Sequence, residues 1–147
     1  NIMKEEFIKN NKRPFAFVTM CADPIHHGHI NILHEAKKYG SVIIGLMTDS
    51  AMKNYKGNPL LSFQERLKVL AELKSVSGII PIESIDFVPY LEKFKFEYFL
   101  HGDDWKQGAQ KKSRESAILA MSEWGGKVID VPYTEGVSSS DLKKGIN

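Results

Sequence analysis

Along the chain, short all-apolar runs alternate with segments whose apolar residues recur every three or four positions. The first run, FAFVTM at 15–20, has the near-continuous hydrophobicity of a strand buried on both faces. In HINILHEAKKYG, Ile30, Leu33, Ala36 and Lys37 follow helical spacing, and Gly40 stands where a helix C-cap is expected. SVIIGLM (41–47) is a second buried strand, followed by a polar loop through KNYKGNP. SFQERLKVLAELKSV reads as a helix opened by a Ser62–Glu65 capping box. A third strand, SGIIPI, and a short helix, DFVPYLEKF, come next. EYFLHG (97–102) is the fourth strand and runs into the acidic loop DDWKQG. A long helix in KKSRESAILAMSEWG, a fifth strand in KVIDVP and a terminal helix in SSSDLKKGI complete the pattern. This alternation predicts an α/β fold, a doubly wound five-stranded parallel sheet with helices on both faces. In such sheets ligands bind beyond the carboxyl ends of the strands, so functional residues are expected just after strands.

Composition narrows the class. At 147 residues the chain suits one domain and can bury a sizeable core without disulfides. With 42% hydrophobic and 26% charged residues it reads as a globular protein rather than a disordered one. A net charge of +2, with no long basic run, gives no sign of nucleic-acid binding. Cys21 is the only cysteine, which excludes an internal disulfide and suits a reducing, cytoplasmic setting. No apolar run approaches the length of about 18 residues that a membrane span needs, and NIMKEEFIKNNKR lacks the apolar core of a secretory signal. The chain opens on Asn1 rather than Met, as a trimmed chain or one domain of a longer protein would. Residues 1–14 are expected as a polar lead-in or linker, and 15–147 as the folded domain.

Four clusters could carry chemistry, and all follow expected strands. Asp23, His26, His27, Gly28 and His29 stand after the first strand, where a helix N-terminus offers free N–H groups to an anion. Gly28 allows a close backbone turn, and the spacing of His26 and His29 puts both on one side of a helix while His27 points elsewhere. Three readings compete: ordinary packing histidines, a zinc site of His26, His29 and an aspartate, or two imidazoles donating to charge that builds on phosphorus. Lys53 and Lys56, expected on the loop after the second strand, are either a solvated basic loop or anion ligands. In GDDW, Asp103 and Asp104 can hold Mg²⁺ or simply cap a turn, and Trp105 can stack on a ligand or belong to the core. In YTEGVSSSDL, Gly136 permits a tight approach, while Ser138, Ser139 or Ser140 can cap the terminal helix with Asp141 and also hold phosphate. Cys21 is not read as a nucleophile, since no covalent step is required.

Taken in order, HHGH, SFQER, HGDDW and YTEGVSSS resemble the H-x-G-H nucleotidyltransferase superfamily with its Rossmann-like fold, in the cytidylyltransferase branch. The resemblance spans Phe15 to Ile146. It is similar to glycerol-3-phosphate cytidylyltransferase, and most similar to the cytidylyltransferase domains of phosphonate biosynthesis, often fused to other enzymes. The glycerol-3-phosphate enzymes carry arginine where this chain has Tyr133.

The resemblance implies that His26, His29, Lys56 and Arg66 are catalytic, with Lys53 the reserve for the lysine that aligns two anions. It implies nucleotide contacts from Cys21, Ala22, Asp23, Gly28, Lys53, Gly102, Asp103, Asp104, Trp105, Tyr133, Thr134, Gly136, Ser138 and Ser139. Asp23 and Asp104 are the implied Mg²⁺ ligands, and a homodimer is the expected assembly. The expected reaction takes CTP and a small alkyl phosphonate, 2-aminoethylphosphonate or a relative, to the CMP conjugate and pyrophosphate. Glycerol 3-phosphate, phosphocholine and phosphoethanolamine are the alternative acceptors. Two rivals lie outside that chemistry: a nucleotide-binding module without turnover, and a zinc hydrolase using Asp23 and the histidines.

Overall fold

A computed structural model describes residues 11–132. Its five strands are β1 (Phe15–Met20), β2 (Ser41–Met47), β3 (Val76–Ile82), β4 (Tyr98–Gly102) and β5 (Lys127–Val131). They form one sheet of order β3-β2-β1-β4-β5, with every pair parallel. The helices are α1 (His27–Lys37), α2 (Asp49–Tyr55), α3 (Phe63–Leu70), α4 (Val88–Phe94) and α5 (Lys111–Ser122). Strand order reverses between β1 and β4, which is where this class of sheet opens a ligand crevice.

The two faces of the sheet follow from alternation along the strands. Ala16, Val18 and Met20 of β1 join Val42, Ile44 and Leu46 of β2 on the face covered by Leu33 and Ala36 of α1 and Leu67 and Leu70 of α3. Phe15, Phe17, Ile43 and Phe99 point the other way, against Met52 of α2, Leu91 of α4 and Ala117 and Met121 of α5. Phe17 stacks on Phe96 with ring centroids 4.3 Å apart. That ring needs Gly45 beside it, because a Cβ there would come within 2.7 Å of Phe17. Both faces are therefore sealed, as the unbroken apolar strands require. No helix among the described residues is long and apolar enough to cross a membrane.

Three local expectations change. The loop expected after β2 contains a helix, α2, whose N-cap Thr48 accepts from the Ala51 amide. Lys53 therefore sits on a helix and Lys56 at its C-cap. Gly40 does not cap α1, whose C-cap is Lys38 in right-handed conformation. It is needed for close approach instead, since a Cβ at 40 would collide with the Pro14 carbonyl. The helix opened by Ser62 has its expected capping box but ends at Leu70, eight residues long, and turn bonds from Leu73 and Val76 lead the chain into β3. The expected terminal helix, with Tyr133, Thr134, Gly136, Ser138, Ser139, Ser140 and Asp141, lies outside the described residues.

Candidate active site

A cavity of about 280 Å³ opens beyond the carboxyl ends of the strands, centred on the β1/β4 switch point. The chain leaves β1 through Ala22, which is 3% exposed and held in the left-handed region at φ 51°. A non-glycine residue there carries local strain, and it turns the backbone toward α1.

His26 is the N-cap of α1, and its Nδ1 accepts the Gly28 amide at 3.0 Å. His29 completes the reciprocal contact, accepting the His26 amide through its own Nδ1 at 3.0 Å. Each imidazole does the work usually given to a Ser/Glu capping box. An amide can only donate, so both Nδ1 atoms are acceptors and both protons reside on Nε2. The rings lie 4.1 Å apart and both border the cavity, while His27 is exposed, as its place in the spacing required.

Burial, the neighbouring His26 and the Lys56 charge lower the His29 pKa to about 4. Burial and His27 lower that of His26. At neutral pH the pair is therefore two neutral N–H donors at the positive end of a helix with no acidic residue in its first turn. A histidine whose folded pKa lies below its unfolded value binds more protons when unfolded. The stability this contributes is complete above about pH 6.5, the ordinary histidine value, and is lost as pH falls toward 4. Thermal unfolding of the ligand-free protein from pH 7 to 4 should show that decline, and a flatter one for His29→Asn. Parallel slopes would contradict it.

Both lysines are exposed, but Lys56 borders the cavity and Lys53, on α2, does not. Of the two lysines, Lys56 is thus the one placed to meet a ligand in the cavity. For the cytidylyl transfer that the sequence resemblance implies, Lys56→Met is expected to lower kcat/KM about 100-fold, the order seen when one charge-stabilising group is lost. Lys53→Met should stay within about threefold, since its side chain does not border the cavity. Steady-state kinetics of the two variants decides between them.

Arg66, expected as a catalytic contact, is 1% exposed and does not border the cavity. Its guanidinium donates to the carbonyls of Leu61, Cys21 and Met47 at 3.1, 2.9 and 2.7 Å, and to Asp49 Oδ1 at 2.8 Å. It ties the exits of β1 and β2 together beneath the cavity. Asp23 is likewise 1% exposed, with its two oxygens accepting the Leu60 and Leu61 amides at 2.8 and 2.7 Å. It pins the loop before α3 and does not face the cavity as a ligand. Among the described residues no group of three His, Cys, Asp or Glu side chains could hold a metal ion, so His26, His29 and Asp23 do not form a zinc centre. Asp104 is the only carboxylate among the cavity's described lining residues.

The HGDDW motif divides unevenly. Gly102 and Asp104 border the cavity, Asp103 does not, and Trp105 is buried. Trp105 stacks under His101 with centroids 4.0 Å apart and rings 6° from parallel. Its Nε1 donates to Asp130 Oδ1 at 2.7 Å, and Arg114 clamps the same carboxylate at 3.1 and 2.8 Å. The indole thus supports His101, which lines the cavity. Cys21 borders the cavity beside Met47, with its Sγ 3.4 Å from the thioether sulfur.

Several wall residues were not singled out in the sequence: His101, Tyr55, Phe87, Gln110 and Thr19. His101 opens the HGDDW motif at the end of β4, and Tyr55 adjoins Lys56, so position in the sequence could have pointed to both. Phe87 and Gln110 carry no sequence signal of their own.

The sequence of residues 18–145 matches the family model described as cytidylyltransferase-like. The chain belongs to the cytidylyltransferase-like family. Among curated relatives it is 30% identical to ethanolamine-phosphate cytidylyltransferase of Dictyostelium discoideum, over 90% of this chain and 36% of that protein. It is 26% identical to the bifunctional protein HldE of Koribacter versatilis (strain Ellin345), over 91% of this chain and 27% of that one. The mouse ethanolamine-phosphate cytidylyltransferase is 27% identical, over 83% of this chain and 30% of the relative. This cytidylyltransferase-like chain thus spans about a third of the relatives it matches. Among solved structures, a lipopolysaccharide core biosynthesis protein from Thermoplasma volcanium GSS1 superposes with a TM-score of 0.69 at 23% identity, covering 82% of this chain and 98% of that one. A pantoate-beta-alanine ligase from Francisella tularensis gives 0.67 at 16%, covering 95% and 70%. Both support the Rossmann-like fold alone. The relatives named here give no sign of particular closeness to phosphonate-biosynthesis domains.

Proposed function

We propose that this cytidylyltransferase-like chain transfers a cytidylyl group from CTP to a small phosphate monoester, phosphoethanolamine in the first instance, and releases pyrophosphate. The observation that carries the reading is the His26/His29 pair, two neutral Nε2–H donors held by reciprocal caps at the mouth of a cavity that Lys56 also borders. The acceptor assignment is supported by the phosphoethanolamine enzymes among the relatives. It takes precedence over the phosphonate expected from the motifs. The two acceptors share an aminoethyl end and differ in the atom that links it to phosphorus.

In the proposed reaction an acceptor phosphate oxygen attacks the α-phosphorus in line. A new P–O bond forms, and the bond from the α-phosphorus to the α,β-bridging oxygen breaks with its electron pair leaving on pyrophosphate. His26 and His29 donate hydrogen bonds to the charge that spreads over the equatorial oxygens, where fixed donors in a partly dry site act most strongly. Lys56 draws the two anions together, which supplies orientation rather than proton transfer. Mg²⁺ brought in with the triphosphate would supply screening of the leaving group's charge. Asp104 fits it as a single carboxylate ligand or through water, the sparse protein coordination usual for nucleotide-bound Mg²⁺.

Pyrophosphate release from CTP and from ATP, measured against phosphoethanolamine, 2-aminoethylphosphonate, glycerol 3-phosphate and phosphocholine, tests the assignment. The expected result is a CTP-dependent rate highest with phosphoethanolamine. A rate independent of acceptor, or one highest with glycerol 3-phosphate, would defeat it. Nucleotide binding without pyrophosphate release from any pair would favour the non-catalytic rival.

A further inference from the structure

Lys56 borders the cavity, yet its side chain is exposed, and no carboxylate among the described residues pairs with its ammonium. A point charge on a flexible four-carbon stem samples many rotamers, so meeting an anion in one place requires something to hold it. The backbone beneath it is fixed. The Lys56 and Gly57 amides both donate to the Met52 carbonyl, at 2.7 and 2.9 Å, and Gly57 takes the left-handed φ of 111° that glycine accepts freely. Lys56 itself, at φ −122°, has already left helical geometry. Its side chain can therefore fold back on that of Tyr55, which adjacent residues inside a helix do not do. The Lys56 Nζ lies over the Tyr55 ring, 5.6 Å from its centroid, within the range of a cation–π contact.

That ring is itself anchored. Tyr55 is half-buried against the core cluster that contains Met52 and Phe87, and its hydroxyl lies 2.7 Å from the side-chain amide of Gln110, across 55 positions of sequence. The same amide is hydrogen-bonded to the His101 ring. Donors and acceptors then sort in one direction. His101 Nδ1 lies 3.0 Å from the Gly102 carbonyl, which can only accept, so the ring proton resides there. Burial lowers the His101 pKa and keeps the ring neutral, so its other nitrogen accepts from the Gln110 NH₂. The Gln110 oxygen accepts in turn from the Tyr55 hydroxyl, since the opposite sense of the amide would bury that oxygen without a donor. The relay Tyr55–Gln110–His101–Gly102 ties the end of α2 to the exit of β4 along the cavity wall. It engages the hydroxyl of Tyr55 and leaves the ring face to Lys56.

We propose that Tyr55 is a positioning residue for Lys56, its ring, fixed through the hydroxyl to Gln110, holding the ammonium at the cavity edge where two anions are to be aligned. The proposal rests on the cytidylyltransferase reading above and supplies what keeps its lysine in place. Tyr55 acts through Lys56 and not on the substrate, so its effect on the reaction vanishes when the lysine charge is gone.

The test is a double-mutant cycle on kcat/KM with CTP and phosphoethanolamine, pairing Tyr55→Leu with Lys56→Met, and ¹H NMR of the Lys56 side chain without substrate. Tyr55→Leu is expected to lose about 3- to 10-fold in the wild-type background, the scale of one cation–π contact, and to change the Lys56→Met protein by less than about 1.5-fold. Tyr55→Phe keeps the face and loses only the hydroxyl tether, so its loss should be about twofold. The Lys56 methylene protons should be shifted upfield by the ring in wild type and in Tyr55→Phe, and return to random-coil positions in Tyr55→Leu. Equal losses from Tyr55→Leu in both backgrounds would show Tyr55 acting independently of Lys56 and overturn the proposal. So would equal losses in Tyr55→Phe and Tyr55→Leu, which would give the effect to the hydroxyl and not to the ring face. Wild type without turnover on any nucleotide and acceptor would defeat the cytidylyltransferase reading instead. The Lys56 shifts, read without substrate, would then uphold the contact if displaced upfield and overturn it if at random-coil positions.

Discussion

His29→Ala is expected to lower kcat for the proposed cytidylyl transfer by about 10²–10³ while leaving the fold intact. The imidazole is one of two fixed N–H donors at the cavity, and water filling its place would reorient as charge develops instead of waiting in position. The structural cost is small by comparison. His29 also accepts the His26 amide, so alanine removes one reciprocal cap, worth about 0.5–2 kcal/mol. At about 2–4 °C per kcal/mol for a chain of this size, Tm should fall by only a few degrees. His27→Ala is the control, since that ring is exposed and outside the cavity. Near-normal turnover in His29→Ala, or a collapse of Tm that accounts for the lost activity, would contradict the role.

The second large effect falls on stability. Arg66→Leu removes the donor to three backbone carbonyls, at Cys21, Met47 and Leu61, where the chain leaves β1 and β2 and approaches α3. Each buried carbonyl left unpaired costs about 1–3 kcal/mol. The total is held below their sum by relaxation and entering water, so a loss of about 3–5 kcal/mol is expected. Tm should drop by roughly 10 °C. Asp49→Ala should cost far less, because that carboxylate is 41% exposed and its partner keeps three carbonyl contacts. Thermal or denaturant unfolding of the two variants measures the contrast. A mild Arg66→Leu phenotype in Tm with a severe one in kcat would return Arg66 to the catalytic contacts.

How far the chain could be read from its letters depended on the kind of signal. FAFVTM and SVIIGLM reveal buried strands because a strand covered on both faces must be apolar at every position, and both lie in the sheet centre. The Ser62–Glu65 box was legible for a similar reason, since capping is a local contact between residues three apart. Helix α2 was not, because its seven residues bury only Ala51 and Met52 and the surrounding polar letters read as loop. In the site, His26 and His29 were legible from spacing. Asp23 and Arg66 were read as ligands, a carboxylate and a guanidinium beside a phosphate motif, and their tertiary partners were not legible: Asp23 accepts two backbone amides, and Arg66 donates to three backbone carbonyls and to Asp49. Trp105 shows the same limit, being a wall behind His101 rather than a wall of the cavity. Gln110 and Phe87 come to the cavity through tertiary packing alone, which no local pattern encodes.

Histidine side-chain ¹⁵N NMR of the protein, free and titrated with CTP and Mg²⁺, tests the central claim most directly. At pH 7 the free protein should show His26 and His29 as neutral Nε2–H tautomers with Nδ1 hydrogen-bonded, and both Nε2 signals should move on CTP addition. A doubly protonated ring, an Nδ1–H tautomer at either position, or CTP binding that leaves both rings unmoved would contradict it.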